Sequence, residues 1–452
     1  MDIIVAGNGK VGSTLARRLA AEGHNLTLID SHQQTLEEVC ERFDVMGVQG
    51  NCASMTVLQQ ANISEAELLI AATGEDEVNL LCCSTAHGLN PKLHTIGRIR
   101  NPEYIKQIHL LRNVFPLSLS VNPERQAATE VERLLRFPGF LHRETFAKGR
   151  SAIVELRVDE DSKLRSVSLR QMNGIVKCQV LVCAVLRSGT AITPRGDFVL
   201  EAGDRIFVTA PTENLSILLK NLGIVTRKVR KVLICGGGRT SHYLAEHLSK
   251  GGISVSIIEQ NYDRCVHLAS LLPDVAVIHG DATDQELLES QGLADCDALV
   301  TMTGLDELNM IISLYGTGKG VPQVITKLSK AENRSISDEL ALGSVICPKE
   351  LCCDDIIRYV RAMEKQSGSA ISVHSIADGQ AEAVEFLVEA GTDHCGEPLK
   401  NIRLKPGVLL VSITHGTQTQ IPNGDSVFRV GDTIVVVTSN IGKLQQLNDI
   451  FA

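Results

Sequence analysis

The sequence has 452 residues, 44 Lys and Arg against 53 Asp and Glu for a net charge of −9, and 10 Phe, 5 Tyr and no Trp. An acidic, aromatic-poor chain lacks the basic stripe and stacking rings of a nucleic-acid surface, so no nucleic-acid partner is expected. No apolar run approaches the ~18 residues that span a bilayer. The longest, such as Val180 to Leu186, suit buried strands, and the N-terminus MDIIVAGNGKVG has no signal-peptide pattern, so a cytosolic chain is expected.

Thirteen cysteines are scattered without a CxxC pair. In a chain with no secretion signal they read as reduced, buried small hydrophobes, including the adjacent pairs Cys82-Cys83 and Cys352-Cys353. There is no HExxH, and no metal is expected.

Length alone suggests about three domains at ~150 residues each, but self-comparison gives four. Ile3 to Asp30 recurs as Val232 to Glu259, with Gly7 and Gly236 as counterparts. Leu68 to Asn79 recurs as Ala298 to Asn309, and Thr193 to Val208 recurs as Ile421 to Val436. The order is therefore N-type, C-type, N-type, C-type.

In chain order, Ile3 to Ala6 reads as a strand, followed by a glycine-rich turn that opens a helix carrying Val11, Leu15 and Leu19. Leu26 to Ile29 is the next strand, Leu36 to Phe43 a helix, and Val45 to Val48 a strand. Leu68 to Ala72 and Leu93 to Ile96 continue an apolar series fit for buried parallel strands. Alternating strands and helices predict a doubly wound parallel sheet in each N-type unit. Helices from Pro123 to about Arg136 and from Pro348 to about Lys365 are candidate arms to the C-type units, with Pro in the first turn, where its missing N–H costs nothing. Each C-type unit alternates short Val/Leu/Ile strands with Gly-Asp turns and is expected to end on a helix. The basic stretch from Thr226 to Lys231 links the halves.

Gly7-Asn8-Gly9-Lys10-Val11-Gly12 has the GxGxxG form between a strand and a helix. Its glycines permit a tight turn, close approach of backbone to a pyrophosphate, and close helix–strand packing. Helix N-terminal N–H groups can then hold phosphate oxygens. Asp30 ends the second strand, where a carboxylate can accept from both ribose hydroxyls. Ser31 and His32 follow it and no Arg is placed for a 2′-phosphate, which favours NAD over NADP. The second copy is Gly236, Gly237, Gly238, Arg239, Thr240 and Ser241, with Glu259 as its acid. Thr73-Gly74 and Thr303-Gly304 end the fourth strands, and Arg98 and Lys327 the fifth. Gly50-Asn51 and Gly280-Asp281 follow the third strands. Tyr315 and Lys319 have YxxxK spacing but sit among glycines at a helix end. The pattern assigns no catalytic residue.

The doubled AGNGKVGSTLARRLAAEGHNLTLID and AATGEDEVN, each followed by a GD-turn module, resemble the RCK (KTN) family of cytosolic, NAD-binding regulatory subunits of Trk potassium uptake. The resemblance covers essentially the whole chain. It implies nucleotide-binding units at 1–122 and 230–347, linking helices at 123–142 and 348–368, and C-terminal modules at 143–227 and 369–452. It further implies NAD(H), with ATP or ADP as alternatives, at Gly7 to Val11, Asp30, Thr73, Gly74 and Arg98, and at Gly236 to Thr240, Glu259, Thr303, Gly304 and Lys327. The implied setting is a tetramer on the inner membrane face, bound to a Trk-type potassium-conducting protein. Ser241 and Asn51 depart from the family's Gly and Asp. The alternatives from other classes are a soluble NAD-dependent oxidoreductase and a nucleotide sensor of another partner.

Overall fold

A computed structural model describes the chain apart from residues 137–138, 225–227, 331–339, 341, 364–369, 440–443 and 445. The first repeat runs β1 (Asp2–Ala6), α1 (Lys10–Ala21), β2 (Asn25–Asp30), α2 (Gln33–Phe43), β3 (Met46–Gln49), α3 (Met55–Gln60) and β4 (Leu68–Ala71). It continues with α4 (Asp76–Leu89), β5 (His94–Arg98), α5 (Pro102–Lys106), α6 (Ile108–Val114) and β6 (Leu119–Val121). All six strands are parallel, in the order β3-β2-β1-β4-β5-β6. Ile3, Ile4, Val5 and Ala6 are all buried, because helices cover both faces of the central strand.

Two features differ from the sequence expectation. β3 is an edge strand whose Met46 is 54% exposed, despite its apolar sequence. β6 was not expected: three residues are too few for a periodic signal, and its pairing with β5 (Arg98 opposite Val121) is set by the fold.

α7 (Pro123–Arg136) follows, capped by Asn122, whose Oδ1 accepts from Arg125 N at 2.8 Å. The first small module comprises β7 (His142–Phe146), β8 (Ser151–Arg157), α8 (Leu169–Val176), β9 (Leu181–Arg187), β10 (Thr190–Ile192), β11 (Arg205–Pro211) and α9 (Leu215–Leu222). Its antiparallel sheet has the order β10-β9-β11-β8-β7. Its Gly-Asp turn is structural. The buried Asp204 carboxylate takes Arg187 Nε and Nη2, both at 2.7 Å, and Glu201 N at 2.8 Å.

The second repeat has β12 (Lys231–Cys235), α10 (Arg239–Lys250), β13 (Ser254–Glu259), α11 (Tyr262–Leu271), β14 (Ala276–His279) and α12 (Gln285–Ser290). Then come β15 (Ala298–Thr301), α13 (Asp306–Gly318), β16 (Gln323–Lys327) and β17 (Ser344–Ile346). Its parallel sheet reproduces the first, β14-β13-β12-β15-β16-β17. α14 (Pro348–Met363) leads to β18 (Ala370–Ile376), β19 (Ala381–Leu387), β20 (Val408–His415), β21 (Gln418–Gln420) and β22 (Thr433–Thr438), paired as β18-β19-β22-β20-β21. The terminal helix expected of this module falls partly on 440–443 and 445, outside the described residues. Leu447–Ile450 beyond them form a 3-10 turn.

The chain divides into two compact units. One holds Met1–Thr129 with Gly237–His247 and Cys347–Ile357, so the first parallel sheet carries the first turns of α10 and α14 beside its own helices. Arg18 on α1 pairs with Asp354 on α14 at 2.6 Å, and Gln126 bonds Asp355. The other holds Glu130–Gly236, Leu248–Ile346 and Arg358–Ala452. Within it, Phe146, Ile153, Phe207, Ile376, Val411 and Val435 form one core drawn from both small modules. All thirteen cysteines are free thiols, and the Cys82-Cys83 and Cys352-Cys353 pairs are buried. No helix of the described residues is long and apolar enough to cross a membrane.

Candidate functional site

In the first sheet the strand order reverses between β1 and β4, whose last residues, Ala6 and Ala71, are register partners. Such a switch point opens a crevice at the carboxyl edge. The glycine-rich turn sits there. Gly7 has φ +97°, and a Cβ on it would lie 2.8 Å from Thr73 N. A Cβ at Gly12 would collide with Gly7 O, so only glycine lets α1 start this close to β1. Gly9 and Gly74, by contrast, face open space where a Cβ would be. Lys10 opens α1 and is exposed, whereas the Val11 side chain is buried, leaving only its backbone for a ligand.

Asp30 ends β2 and ties the turn down. Its Oδ2 accepts from Asn8 N at 2.6 Å, and its Oδ1 from His32 N at 2.9 Å. Burial pushes this carboxyl up, but those hydrogen bonds outweigh it and hold it below its ordinary value. A carboxylate has about four acceptor positions, so capacity remains for ribose hydroxyls. Asn8 Nδ2 donates to Thr35 O at 2.7 Å, while Asn8 Oδ1 is buried with no hydrogen-bond partner among the described residues.

The opposite wall is built from β4, α4 and β5. Fully buried Asn79 accepts from Thr73 N (2.8 Å) and Thr73 Oγ1 (2.7 Å), and donates to Arg98 O at 2.8 Å. Arg98 Nη2 donates to Thr73 O at 2.5 Å, but its Nε is buried without a hydrogen-bond partner among the described residues. Burial, helped by the like charge of Arg100, pushes this guanidinium below its ordinary value. A cation held this way gains from an anion. Asp76 Oδ2 accepts from Arg100 N and Asn101 N, both at 2.7 Å, and Arg100 Nη2 bonds Gly74 O.

The second repeat keeps this wall. Asn309 accepts from Thr303 N (2.8 Å) and Thr303 Oγ1 (2.7 Å) and donates to Lys327 O at 2.9 Å. Lys327 Nζ donates to Met302 O at 3.2 Å. Glu259 accepts from Asn261 N at 2.8 Å, Gly236 has φ +99°, and Gly304 faces open space. Gly237 and Gly238 precede Arg239, the exposed first residue of α10, and Thr240 is buried. Ser241, the counterpart of Gly12, is buried too.

The crevice of the first repeat thus gathers Gly7, Asn8, Gly9, Lys10, Val11, Gly12, Asp30, Thr73, Gly74 and Arg98. Gly50-Asn51 follows β3, and Gly50 N bonds Asp30 O at 2.9 Å. Sequence reasoning missed Asp76, Asn79 and Arg100. The first two carried a signal in GEDEVN and GLDELN, whose Asp and Asn recur at the same spacing. Tyr315 and Lys319 form a surface cluster with Glu289, at 2.6 and 2.5 Å. Among the described residues no group of three or more His, Cys, Asp or Glu is placed to hold a metal.

Two Rossmann-type sheets with glycine-rich turns, each followed by a small antiparallel module, define a tandem of dinucleotide-fold and small β/α domains. The TrkA-N domain matches residues 3–114 and 232–348, and the TrkA-C domain 153–223 and 383–451. The Trk system potassium uptake protein TrkA of Halomonas elongata is 30% identical, over 100% of this chain and 98% of that one. A TrkA homolog of Archaeoglobus fulgidus is 31% identical over 100% of both chains. The chain belongs to the TrkA family. In solved structures, the GsuK RCK domain has a TM-score of 0.61 at 16% identity, covering 98% of this chain and 93% of that one. The GsuK channel bound to NAD has the same score and identity, over 98% and 77%.

Proposed function

We propose that this chain is a nucleotide-sensing regulatory subunit, acting from the cytoplasmic face on a Trk-type potassium-conducting membrane protein and assembling as a tetramer. Relatives spanning the full length carry the name of Trk potassium uptake. The ligand read from the site is NAD(H), with ATP or ADP competing for the same turns. NAD is the ligand in the GsuK channel named above. The domain bounds we assign are 1–122, 143–227, 230–347 and 369–452, with linking helices at 123–142 and 348–368.

The single observation that carries the reading is the first crevice. It combines an open cradle over Gly9 and Gly74 with a fixed carboxylate and two buried polar atoms without hydrogen-bond partners among the described residues, Asn8 Oδ1 and Arg98 Nε. These features fit a dinucleotide. Backbone N–H groups from Gly9 to Gly12 would face its pyrophosphate, those of Gly7 and Asn8 being taken by Ile29 O and Asp30; Asp30 would hold the ribose hydroxyls, and Arg98 would stand near phosphate charge. Gly236 to Thr240, Glu259, Thr303, Gly304 and Lys327 would do the same in the second repeat. The protein's part is binding and a change of shape rather than bond chemistry.

The test is calorimetric titration of NADH into the full chain carrying Glu259→Ala, with and without Asp30→Ala. Loss of the carboxylate is expected to cost about 1–3 kcal/mol by leaving polar partners unpaired. Unchanged affinity would remove Asp30 from the site.

A further inference from the structure

Tyr243 stands on α10 of the second repeat, yet its contacts lie at the first crevice. The residue is 3% exposed. Its hydroxyl donates to Arg100 O at 2.9 Å and accepts from Asn122 Nδ2 at 3.1 Å. The Arg100 carbonyl belongs to the segment just past β5 that closes the wall of the first site. In that segment, Arg100 N and Asn101 N donate to Asp76, the Arg100 guanidinium bonds Gly74 O, and Arg98 bonds Thr73 O. A hydroxyl fixed between Asn122 and Arg100 therefore holds the segment that aims two cations at the carboxyl edge.

The first-repeat counterpart of this tyrosine is a different residue, bonded within its own helix. With Gly236 aligned on Gly7, Tyr243 corresponds to Thr14 in the first repeat, and Thr14 Oγ1 bonds Lys10 O of its own helix at 2.8 Å. Arg18 on α1, paired with Asp354, likewise corresponds to His247, and Asp354 to Thr129 when the two linking helices are aligned at Pro123 and Pro348. The repeats have diverged at the positions where they touch.

We propose that Tyr243 is a positioning residue for the first nucleotide site, holding the Arg98–Asn101 segment through the Arg100 carbonyl, so that the second repeat sets the affinity of the first. This rests on the nucleotide reading above. Tyr243 is not one of the residues assigned to the ligand. It acts by reducing the freedom of the segment that carries Arg98, which lowers the ordering cost of binding. Burial pushes its phenol up to about 12, so the hydroxyl remains a neutral donor throughout the physiological range.

The experiment compares Tyr243→Phe with the parent, both in the full chain carrying Glu259→Ala. The substitution keeps the ring and removes one oxygen. Two readouts are taken. Hydrogen exchange without nucleotide should quicken at the Arg100 and Asn101 amides, with the strands of the first sheet unchanged. The dissociation constant for NADH should rise about 3- to 10-fold, the scale of one hydrogen bond. The Asp76→Asn variant, which loosens the same segment from the other side, should combine with Tyr243→Phe less than additively. Faster exchange throughout the sheet would make Tyr243 a general packing residue and overturn the proposal. So would unchanged exchange at Arg100 together with unchanged NADH affinity. Failure of the parent to bind NADH would instead remove the nucleotide reading, and this proposal with it.

Discussion

Glu144 Oε2 lies 2.7 Å from His374 Nδ1, and the two residues occupy the same position in the two small modules when Gly149 is aligned with Gly379. Each stands three residues before a left-handed pair, Ala147-Lys148 or Ala377-Asp378. The modules also exchange contacts at Arg150 and Gln380, which the same alignment makes equivalent. Gln380 Nε2 donates to Gly189 O at 2.6 Å, and Arg150 bonds Gly416 O. Equivalent positions meeting is the mark of a two-fold interface. A homodimer would oppose identical side chains at such a point. A duplicated chain can oppose an acid and a base.

That junction predicts a pH dependence. His142 Nε2 is 2.8 Å from Glu144, its Nδ1 is 3.8 Å from Glu130, and Glu155 and His374 complete the surroundings. Burial pushes His142 down, but Glu144 outweighs it and raises the imidazolium to about 9. Burial pushes Glu144 up, but His374 and His142 outweigh that and hold it well below the carboxylate range. Because the folded pKa of His142 is raised above the unfolded value near ~6.5, its stabilisation is full below that pH and is lost as pH rises through about 9. Glu144 has the opposite sign and loses its contribution only in acid. The urea midpoint should fall between about pH 6.5 and 9 in the parent, and fall less in His142→Gln. Parallel slopes would contradict this assignment.

A second prediction concerns Arg205, which bonds Glu155 and reaches Asp378 at 2.7 and 3.2 Å. Glu155 is 3% exposed, so Arg205→Ala would leave it a buried carboxylate without its main counter-charge. The expected loss is about 3–5 kcal/mol by chemical denaturation. Arg205→Met with Glu155→Leu should recover most of it. A loss below about 1 kcal/mol, the scale of an exposed pair, would show that the junction is solvated.

A third prediction uses Gly12, the glycine of the first turn that the second turn replaces with Ser241. A Cβ at position 12 collides with Gly7 O. Gly12→Ser should therefore cost about 1–3 kcal/mol of stability through backbone displacement and weaken NADH at the first site. Separately titrated sites should differ, the first being tighter, because Ser241 already carries that Cβ. Equal affinities in Asp30→Ala and Glu259→Ala chains would contradict it.

What the sequence made legible was local. Ile3 to Ala6, the turn, α1 and Asp30 are contiguous, and their chemistry is written in one βαβ unit. The repeats then made the second sheet, its turn and its Thr303–Asn309 wall readable from the first. Asn79 was harder, because a buried amide bonding Thr73 and Arg98 resembles any polar residue on a helix until the strands are brought together. Met46 misled through composition, since an apolar edge strand has the pattern of a buried one. Tyr243 with Arg100, Arg18 with Asp354, and Glu144 with His374 left no signal. Each pair joins positions far apart in the chain, and no periodicity encodes such a pair.

For this chain to regulate a potassium-conducting partner, nucleotide binding must shift a conformational equilibrium that the partner feels, which requires a ligand to favour one state over the other. Potassium flux into vesicles containing a Trk-type membrane protein, with saturating amounts of this chain and NADH, NAD, ATP or ADP added in turn, measures it most directly. Flux is expected to depend on which nucleotide is present, by about 5- to 150-fold for a coupling of ~1–3 kcal/mol, and Asp30→Ala should blunt the response to NADH. Flux that is the same with every nucleotide and with none would contradict it.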